Sequence, residues 1–142
     1  MLGLPSDAKS ARAESYYSTG YHLAMADARL SELTEMVLKF RAERDWAQFH
    51  TPKELAVSLV VEAAELLELM QWKQGAQLEA HLVKKHTEIA DELADCLHSI
   101  LLLAHDMGID LSEAFVAKLK KSGRKYPVEK AKGKPHKYDD LD

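Results

Sequence analysis

The sequence is poor in the residues that would indicate a secreted, fibrous or membrane-spanning protein. Its 142 residues include one cysteine, six glycines and four prolines. Because a single cysteine, Cys96, cannot form an internal disulfide, we expect a reducing, cytoplasmic location. No apolar run approaches the roughly 18 residues of a membrane span, and the N-terminus lacks the basic start and apolar stretch of a signal peptide. We therefore expect a soluble protein with no membrane partner.

Positive charge is scarce as well. Lys and Arg total 19 against 23 Asp and Glu, which gives a formal net charge of −4. Such a chain has no broad positive field to hold a polyanion, so nucleic acid is not an expected partner. The 46% of hydrophobic and 30% of charged residues are typical of a helix-rich globular protein, and the length favours one domain with a buried core.

Apolar spacing predicts the first two helices. Apolar residues three and four apart predict a helix from Leu30 to near Asp45. Residues 51–54 read Thr-Pro-Lys-Glu, the pattern of an N-cap followed by proline at the first helical position and a capping-box glutamate. The second helix is predicted from there to Trp72, with Gly75 as the left-handed residue that ends it.

The second half of the chain continues the helical pattern. A third helix is predicted over about 77–107, with a break near His86 and a stop at Gly108. A capping box at 110–113 predicts a short fourth helix before Gly123. No segment alternates like a strand, so the predicted fold class is all-α. We expect an N-terminal extension over 1–29, a helical domain over 30–127 and a flexible charged tail over 128–142.

Acidic residues interrupt the apolar faces of the second and third helices. On a helical wheel Glu62 lies inside the apolar arc of helix two and Glu65 lies beside it, while Glu92 and Asp95 follow the edge of the corresponding face of helix three. Glu88 continues that stripe. Gathering carboxylates out of water costs several kcal/mol per charge unless a cation compensates them. All-oxygen ligands favour Mg²⁺, with Mn²⁺ as a substitute. The alternative is that these acids are solvated charges on helix margins.

Other residues have two interpretations each. Trp46 and Trp72 end elements beside the acidic helices, where either could stack on a base or serve as a core or interface aromatic. His50 could contact a ligand or lie at the surface. His98 follows Asp95 by three residues and could therefore be a metal ligand. The helical wheel disfavours that role, because it turns His98 away from Glu92. The basic residues of 118–125 could receive phosphates or form a solvated helix end.

Several motifs in order resemble one family. The segments FRAERDWAQFH at 40–50, EAAELLELMQWK at 62–73, ELAD at 92–95 and RKYP at 124–127 are similar to the MazG-like all-α nucleoside triphosphate pyrophosphatases. Within that family the likeness is greatest to the dCTP pyrophosphatase branch. It covers about two-thirds of the chain, and it combines the ExxE and ExxD signatures with their flanking motifs.

The resemblance implies a Mg²⁺-dependent hydrolase with a four-helix bundle-type core, assembled as a homodimer or a dimer of dimers. Such an enzyme splits a nucleoside triphosphate into the monophosphate and pyrophosphate and so cleans the nucleotide pool. The implied metal ligands are Glu62, Glu65, Glu92 and Asp95, and Glu65 or Glu88 would orient or deprotonate the attacking water. The implied substrate-binding residues are Trp46, His50, Trp72, Lys73, Ser99, Lys118, Ser122, Arg124 and Tyr126.

The chain also departs from the branch at three positions that bear on nucleotide contacts. Val37 stands where the branch often has His, Ser99 where it has Tyr, and Ser122 where it has Asn. We expect dCTP or a modified dCTP as the substrate, with another nucleotide such as dUTP as the alternative. A helical interaction module without activity is a second alternative. A di-iron bundle is a third, although it needs E-x-x-H motifs on two helices.

Overall fold

The structure is a computed structural model that describes residues 28–140. It contains six α-helices: α1 (Leu30–Ala42), α2 (Pro52–Glu68), α3 (Gly75–Lys84), α4 (His86–Asp106), α5 (Leu111–Lys125) and α6 (Val128–Ala131). Short 3₁₀ turns lie at Trp46–Gln48 and Tyr138–Asp140. No strand occurs within 28–140, which confirms the all-α prediction. The predicted extension over 1–29 lies outside the described residues except for its last two positions.

Helix starts match the predicted capping residues. The Thr51 hydroxyl accepts a hydrogen bond from the Glu54 backbone N–H at 3.3 Å, and Pro52 occupies the first turn of α2. The Asp110 carboxylate accepts one from the Glu113 N–H at 2.9 Å and starts α5. Each cap satisfies a backbone donor that the helix itself leaves unpaired. The predicted stop at Gly108 is confirmed by its left-handed φ of +64°.

Two predicted helix ends are wrong, and one predicted break is confirmed. α2 ends at Glu68 rather than at Trp72, and Trp72 has a left-handed φ of 65°. Gly75 has the predicted left-handed conformation, with φ 52°, but it starts α3 instead of ending α2. The third helical segment is two helices that meet at Lys85, which confirms the predicted break near His86. α5 continues through Gly123 to Lys125 because its glycine keeps a helical backbone. Glycine permits a helix stop but does not impose one.

The helices pack around α4. The pair α2 and α4 forms the most extensive contact, and α1 also packs on α4. Leu55 of α2 and Leu101 and Leu102 of α4 are buried, each at most 3% exposed. Since Glu62 and Glu65 lie on α2 and Glu92 and Asp95 on α4, this packing brings the two acidic pairs to one interface. Within residues 28–140 no helix has the length and apolarity to cross a bilayer.

The C-terminal residues fold back on α5. The Tyr138 ring meets the Tyr126 ring edge-on, with 5.9 Å between centroids, and the Lys125 ammonium lies 4.5 Å from the Tyr138 ring centroid. These contacts join Tyr138, in the segment 128–142 that we expect to be a flexible tail, to Lys125 and Tyr126 before that segment. The boundary at residue 127 stays a prediction.

A two-bond ion pair holds α1 against the end of α4. The Arg41 guanidinium donates to the Asp106 carboxylate at 2.7 and 3.0 Å, and both side chains are largely shielded from water. The hydrogen bonds from Arg41 hold the pKa of Asp106 below its ordinary value of 3.8. The stabilisation is therefore present above pH 3.8 and is lost as the pH falls through the lowered pKa.

We expect a double-mutant cycle of Arg41→Ala and Asp106→Ala to give a coupling of about 2 kcal/mol in urea unfolding at pH 7. At a pH low enough to protonate Asp106 the coupling should shrink toward that of a neutral pair. A coupling that stays the same at both pH values would show that the carboxylate charge contributes nothing. The exposed pair of Lys53 and Glu54 is the control, since exposed pairs add little.

Candidate active site

Three carboxylates from two helices converge at one point of the α2 and α4 interface. Oxygen atoms of Glu62, Glu65 and Glu92 all lie within 4.8 Å of one another. The spacing of three residues between Glu62 and Glu65 places both on one face of α2, and the register of α4 sets Glu92 opposite them. We call Glu62, Glu65 and Glu92 the acidic cluster. Two of these side chains are half-buried and Glu65 is exposed.

Removal from water and the neighbouring negative charges make Glu62 and Glu92 harder to ionise. Burial, followed by the charges of Asp95, Glu65 and Glu92, raises the pKa of Glu62 above its ordinary value of 4.5. Removal from water, followed by the charges of Glu65, Asp95 and Asp91, raises the pKa of Glu92. Because the pKa values of Glu62 and Glu92 are raised in the folded state, ionisation of these carboxylates destabilises the fold as the pH rises above 4.5. A bound cation would remove that cost.

The donor set fits a hard divalent cation. Three carboxylates offer only oxygen atoms, the ligands that Mg²⁺ and Mn²⁺ take in proteins. Asp95, the fourth predicted ligand, is outside this group of three, yet its charge acts on both Glu62 and Glu92. A cation in the acidic cluster would therefore have Asp95 beside it. The geometry supports a cation site of this kind and leaves the identity of the ion open.

An aromatic cavity opens on one side of the acidic cluster. It has a volume of about 400 Å³, and Glu62 and Asp95 form part of its wall. Phe40, Trp46 and His50 continue the wall through ring contacts, with centroids 5.9 Å apart for Phe40 and Trp46 and 6.0 Å apart for Trp46 and His50. Apolar ring faces beside polar groups are what a flat heterocycle needs for stacking.

Polar groups also line the aromatic cavity. Ser99, only 3% exposed, donates a hydrogen bond to the Ser58 hydroxyl at 3.3 Å across α4 and α2. The Nδ1 atom of His50 is buried without a hydrogen-bond partner among the described residues. A buried polar atom of this kind costs free energy until a partner reaches it. His50 thus adds to the cavity wall an imidazole with one unpaired nitrogen.

A second cavity, of about 390 Å³, opens on the other side of the acidic cluster. Its wall includes Glu65 and Glu92 together with Lys73, His81 and Lys85. We call it the basic cavity. Lys85 is already paired with Glu88 through a 2.8 Å hydrogen bond. The acidic cluster thus lies between an aromatic cavity and a cavity with positive side chains.

The predicted site residues divide into two sets. Trp46, His50 and Ser99 line the aromatic cavity, and Lys73 lines the basic one. The others line neither cavity: Trp72, Glu88, Lys118, Ser122, Arg124 and Tyr126. Trp72 is 92% exposed, and the last four belong to α5 and the residue after it. Their assigned roles stay predictions.

Sequence reasoning missed several lining residues. Ser58, His81, Lys85 and His98 line the two cavities but stand in none of the acidic or aromatic motifs. Lys85 had one available signal, its position at the predicted break between two helices. The helical wheel turns His98 away from Glu92, and the structure places it in the wall of the aromatic cavity.

Comparison with known proteins places these features in a family. The chain is 36% identical over 133 residues to dCTP pyrophosphatase 1 of Bos taurus, covering 92% of this chain and 79% of the relative. It is 38% identical over 114 residues to the protein of the same name from Rattus norvegicus, covering 79% and 67%. A crystal structure of a pyrophosphatase from Archaeoglobus fulgidus superimposes with a TM-score of 0.67 at 37% identity, covering 75% of this chain and 99% of that one.

The family profile agrees with these likenesses. The profile of the MazG-like family matches residues 57–141, a span that holds the whole acidic cluster and Asp95. The match begins inside α2 and includes all of α4, the two helices that carry the acids. On the profile, the relatives and the shared fold, this chain belongs to the MazG-like family.

Proposed function

We propose that the chain is a Mg²⁺-dependent pyrophosphohydrolase that converts dCTP, or a modified dCTP, to the monophosphate and pyrophosphate. Its enzyme class, nucleoside triphosphate pyrophosphatase, is that of its relatives at 34–38% identity. The observation that carries the proposal is the position of the acidic cluster between the aromatic and basic cavities. A nucleoside triphosphate has the same order of parts: a flat base, a polyanion that needs a cation, and a negatively charged end.

Glu62, Glu65 and Glu92, with Asp95 beside them, would hold the cation. Mg²⁺ supplies neutralisation of phosphate oxygens and a more acidic bound water when it is present. The carboxylates of the chain fix the position of the triphosphate relative to the attacking water. Glu65 is the most exposed member of the acidic cluster, so it is the one best placed to accept the proton of that water. Glu88, held by Lys85, would act as a second orienting group.

The basic cavity would receive the leaving pyrophosphate. Lys73 and Lys85 bring positive charge to the wall that Glu65 and Glu92 share. Negative charge develops on the leaving group as the phosphoanhydride bond breaks, and cationic side chains there stabilise it. Five further residues are proposed to contact the nucleotide: Trp72, Lys118, Ser122, Arg124 and Tyr126.

The relatives are named for dCTP, which supports a preference for a cytosine base. Ser99, in the wall of the aromatic cavity, stands where the dCTP pyrophosphatase branch has Tyr, and this difference bears on that preference. Turnover of dUTP or another nucleotide with the same chemistry is the alternative. A helical interaction module without activity predicts no cation-dependent chemistry at the acidic cluster. The single cysteine continues to favour a cytoplasmic location.

We also propose that the chain works as a homodimer or a dimer of dimers. Within 28–140 only Leu55, Leu101, Leu102 and Ala104 are buried hydrophobics, which is a small core for a chain of this size. A stripe of exposed apolar residues, formed by Val57, Val60, Val61 and Leu67, runs along α2. Contiguous apolar surface of this kind is typical of an interface between copies.

Identification of the products tests the proposal. We expect incubation with dCTP and Mg²⁺ to yield dCMP and pyrophosphate in equal amounts on anion-exchange chromatography. In water enriched in ¹⁸O the label should enter a single product, which identifies the phosphorus that is attacked. Release of dCDP and inorganic phosphate would contradict the pyrophosphohydrolase assignment, and no release at all would favour the interaction module.

A further inference from the structure

His98 lies where the aromatic cavity meets a smaller apolar one. It follows Asp95 by one turn of α4 and lines the aromatic cavity together with Trp46 and His50. The same ring lines an apolar cavity of about 170 Å³, whose other walls are Met36, Val37 and Phe40 of α1. His98 is therefore the α4 side chain shared by both cavities.

The surroundings of His98 favour a neutral imidazole. Its ring meets the Phe40 ring edge-on, with centroids 5.9 Å apart and planes at 88°. Burial lowers the pKa of His98 and the nearby charges of His50 and Arg41 act in the same direction, while Asp95 opposes them. A neutral imidazole offers one hydrogen-bond donor and one acceptor. Within 28–140 the ring is engaged by Phe40 and not by a hydrogen bond.

Four rings line one side of the aromatic cavity in an unbroken series. His98 contacts Phe40, Phe40 contacts Trp46, and Trp46 contacts His50, each with centroids 5.9 to 6.0 Å apart. The two middle rings are apolar, with the Arg44 guanidinium 3.6 Å from the Phe40 ring centroid, and the two end rings carry hydrogen-bonding nitrogen atoms. A base in this cavity would have apolar rings to pack on and an imidazole at either end of the series.

We propose that His98 is a specificity-determining residue that hydrogen-bonds the edge of the nucleobase. Cytosine presents an amino donor beside a ring acceptor, and uracil presents the reverse order. With one ring nitrogen facing the base, a neutral imidazole can accept a hydrogen bond from the cytosine amino group or, in its other tautomer, donate one to the uracil carbonyl. The free space beside Met36 and Val37 leaves room for the ring to turn. His98 would thus allow both pyrimidines to bind, each through a hydrogen bond between its edge and this side chain of α4. This inference rests on the proposed function.

The test compares His98→Leu and His98→Gln with the unaltered protein on dCTP and dUTP. His98→Leu removes both hydrogen-bonding atoms and keeps an apolar side chain for Phe40. We expect it to lower kcat/KM for both nucleotides at least about tenfold, mainly through KM. His98→Gln keeps a donor and an acceptor and should recover most of the loss. His105→Leu, two turns further along α4, is the matched control and should behave as the unaltered protein.

A binding measurement separates base recognition from damage to the fold. We expect calorimetry in EDTA to show weaker dCMP binding in His98→Leu, while pyrophosphate binding measured with Mg²⁺ stays unchanged because pyrophosphate has no base. Equal kinetics and dCMP binding in His98→Leu and the unaltered protein would overturn the proposal for His98 while the proposed function stands. A loss of pyrophosphate binding as large as that of dCMP would also overturn it. An unaltered protein that hydrolyses no nucleotide would overturn both.

Discussion

Replacing Glu62 by glutamine is expected to lower turnover at least about a thousandfold and to raise the thermal stability of the cation-free protein. Glutamine keeps the size of the side chain but removes one negative ligand from the acidic cluster. Loss of a ligand to a catalytic cation removes several kcal/mol of transition-state stabilisation, which corresponds to about three powers of ten. Stability rises because the neutral glutamine avoids the cost of burying a charge at this position and, in addition, its repulsion by Asp95, Glu65 and Glu92.

Thermal unfolding in EDTA and in Mg²⁺ measures both effects of Glu62→Gln. The unaltered protein should gain stability with the logarithm of Mg²⁺ concentration, and the variant should gain much less. Glu35→Gln is the matched control, since Glu35 is an exposed carboxylate of α1 that lines neither cavity. A variant that retains turnover and the full Mg²⁺ response would refute the role of the acidic cluster. A lower melting temperature in EDTA would refute the repulsion argument alone.

Replacing Val60 by glutamate is expected to dissociate the protein and to lower its melting temperature. Val60 is 68% exposed in a single chain and lies in the middle of the apolar stripe of α2. If a second copy covers this stripe, glutamate would place an unpaired charge in an apolar interface, which costs several kcal/mol. Light scattering should then show a mass that falls from a multiple of 16.0 kDa to 16.0 kDa.

Two further variants control this experiment. Leu67→Glu, on the same stripe, should have the same effect, and Gln77→Glu on α3 adds the same charge at an exposed polar position and should change nothing. An unaltered protein that already scatters as a single chain would contradict the proposed assembly. A Val60→Glu protein of full oligomeric mass would show that the stripe of α2 faces water in the assembly.

The sequence predicted the features that depend on local chemistry. The caps at Thr51 and Asp110 and the stop at Gly108 follow from hydrogen bonding and backbone conformation over a few residues. The acids could be found because charge inside an apolar arc is costly and therefore conspicuous. Their convergence followed from placing both pairs on neighbouring helices, and it is confirmed for Glu62, Glu65 and Glu92.

The features that depend on tertiary packing could not be predicted. Gly75 and Trp72 both take the left-handed conformation, and local preference predicts it for the glycine but not for the tryptophan, where it is costly. The basic cavity joins side chains from α2, α3, α4 and the loop after α2, and no single-helix pattern contains it. The direction of His98 depends on how α1 sits on α4, which a wheel for one helix does not include.

Release of pyrophosphate from a panel of canonical and modified nucleoside triphosphates, each measured with Mg²⁺ and with EDTA, tests the central claim most directly. We expect release in Mg²⁺ alone, led by dCTP or a modified dCTP. Release led by another nucleotide would retain the acidic cluster and assign the changed preference to Val37, Ser99 and Ser122. Release that continues undiminished in EDTA, or no release from any nucleotide, would contradict a cation-dependent pyrophosphohydrolase.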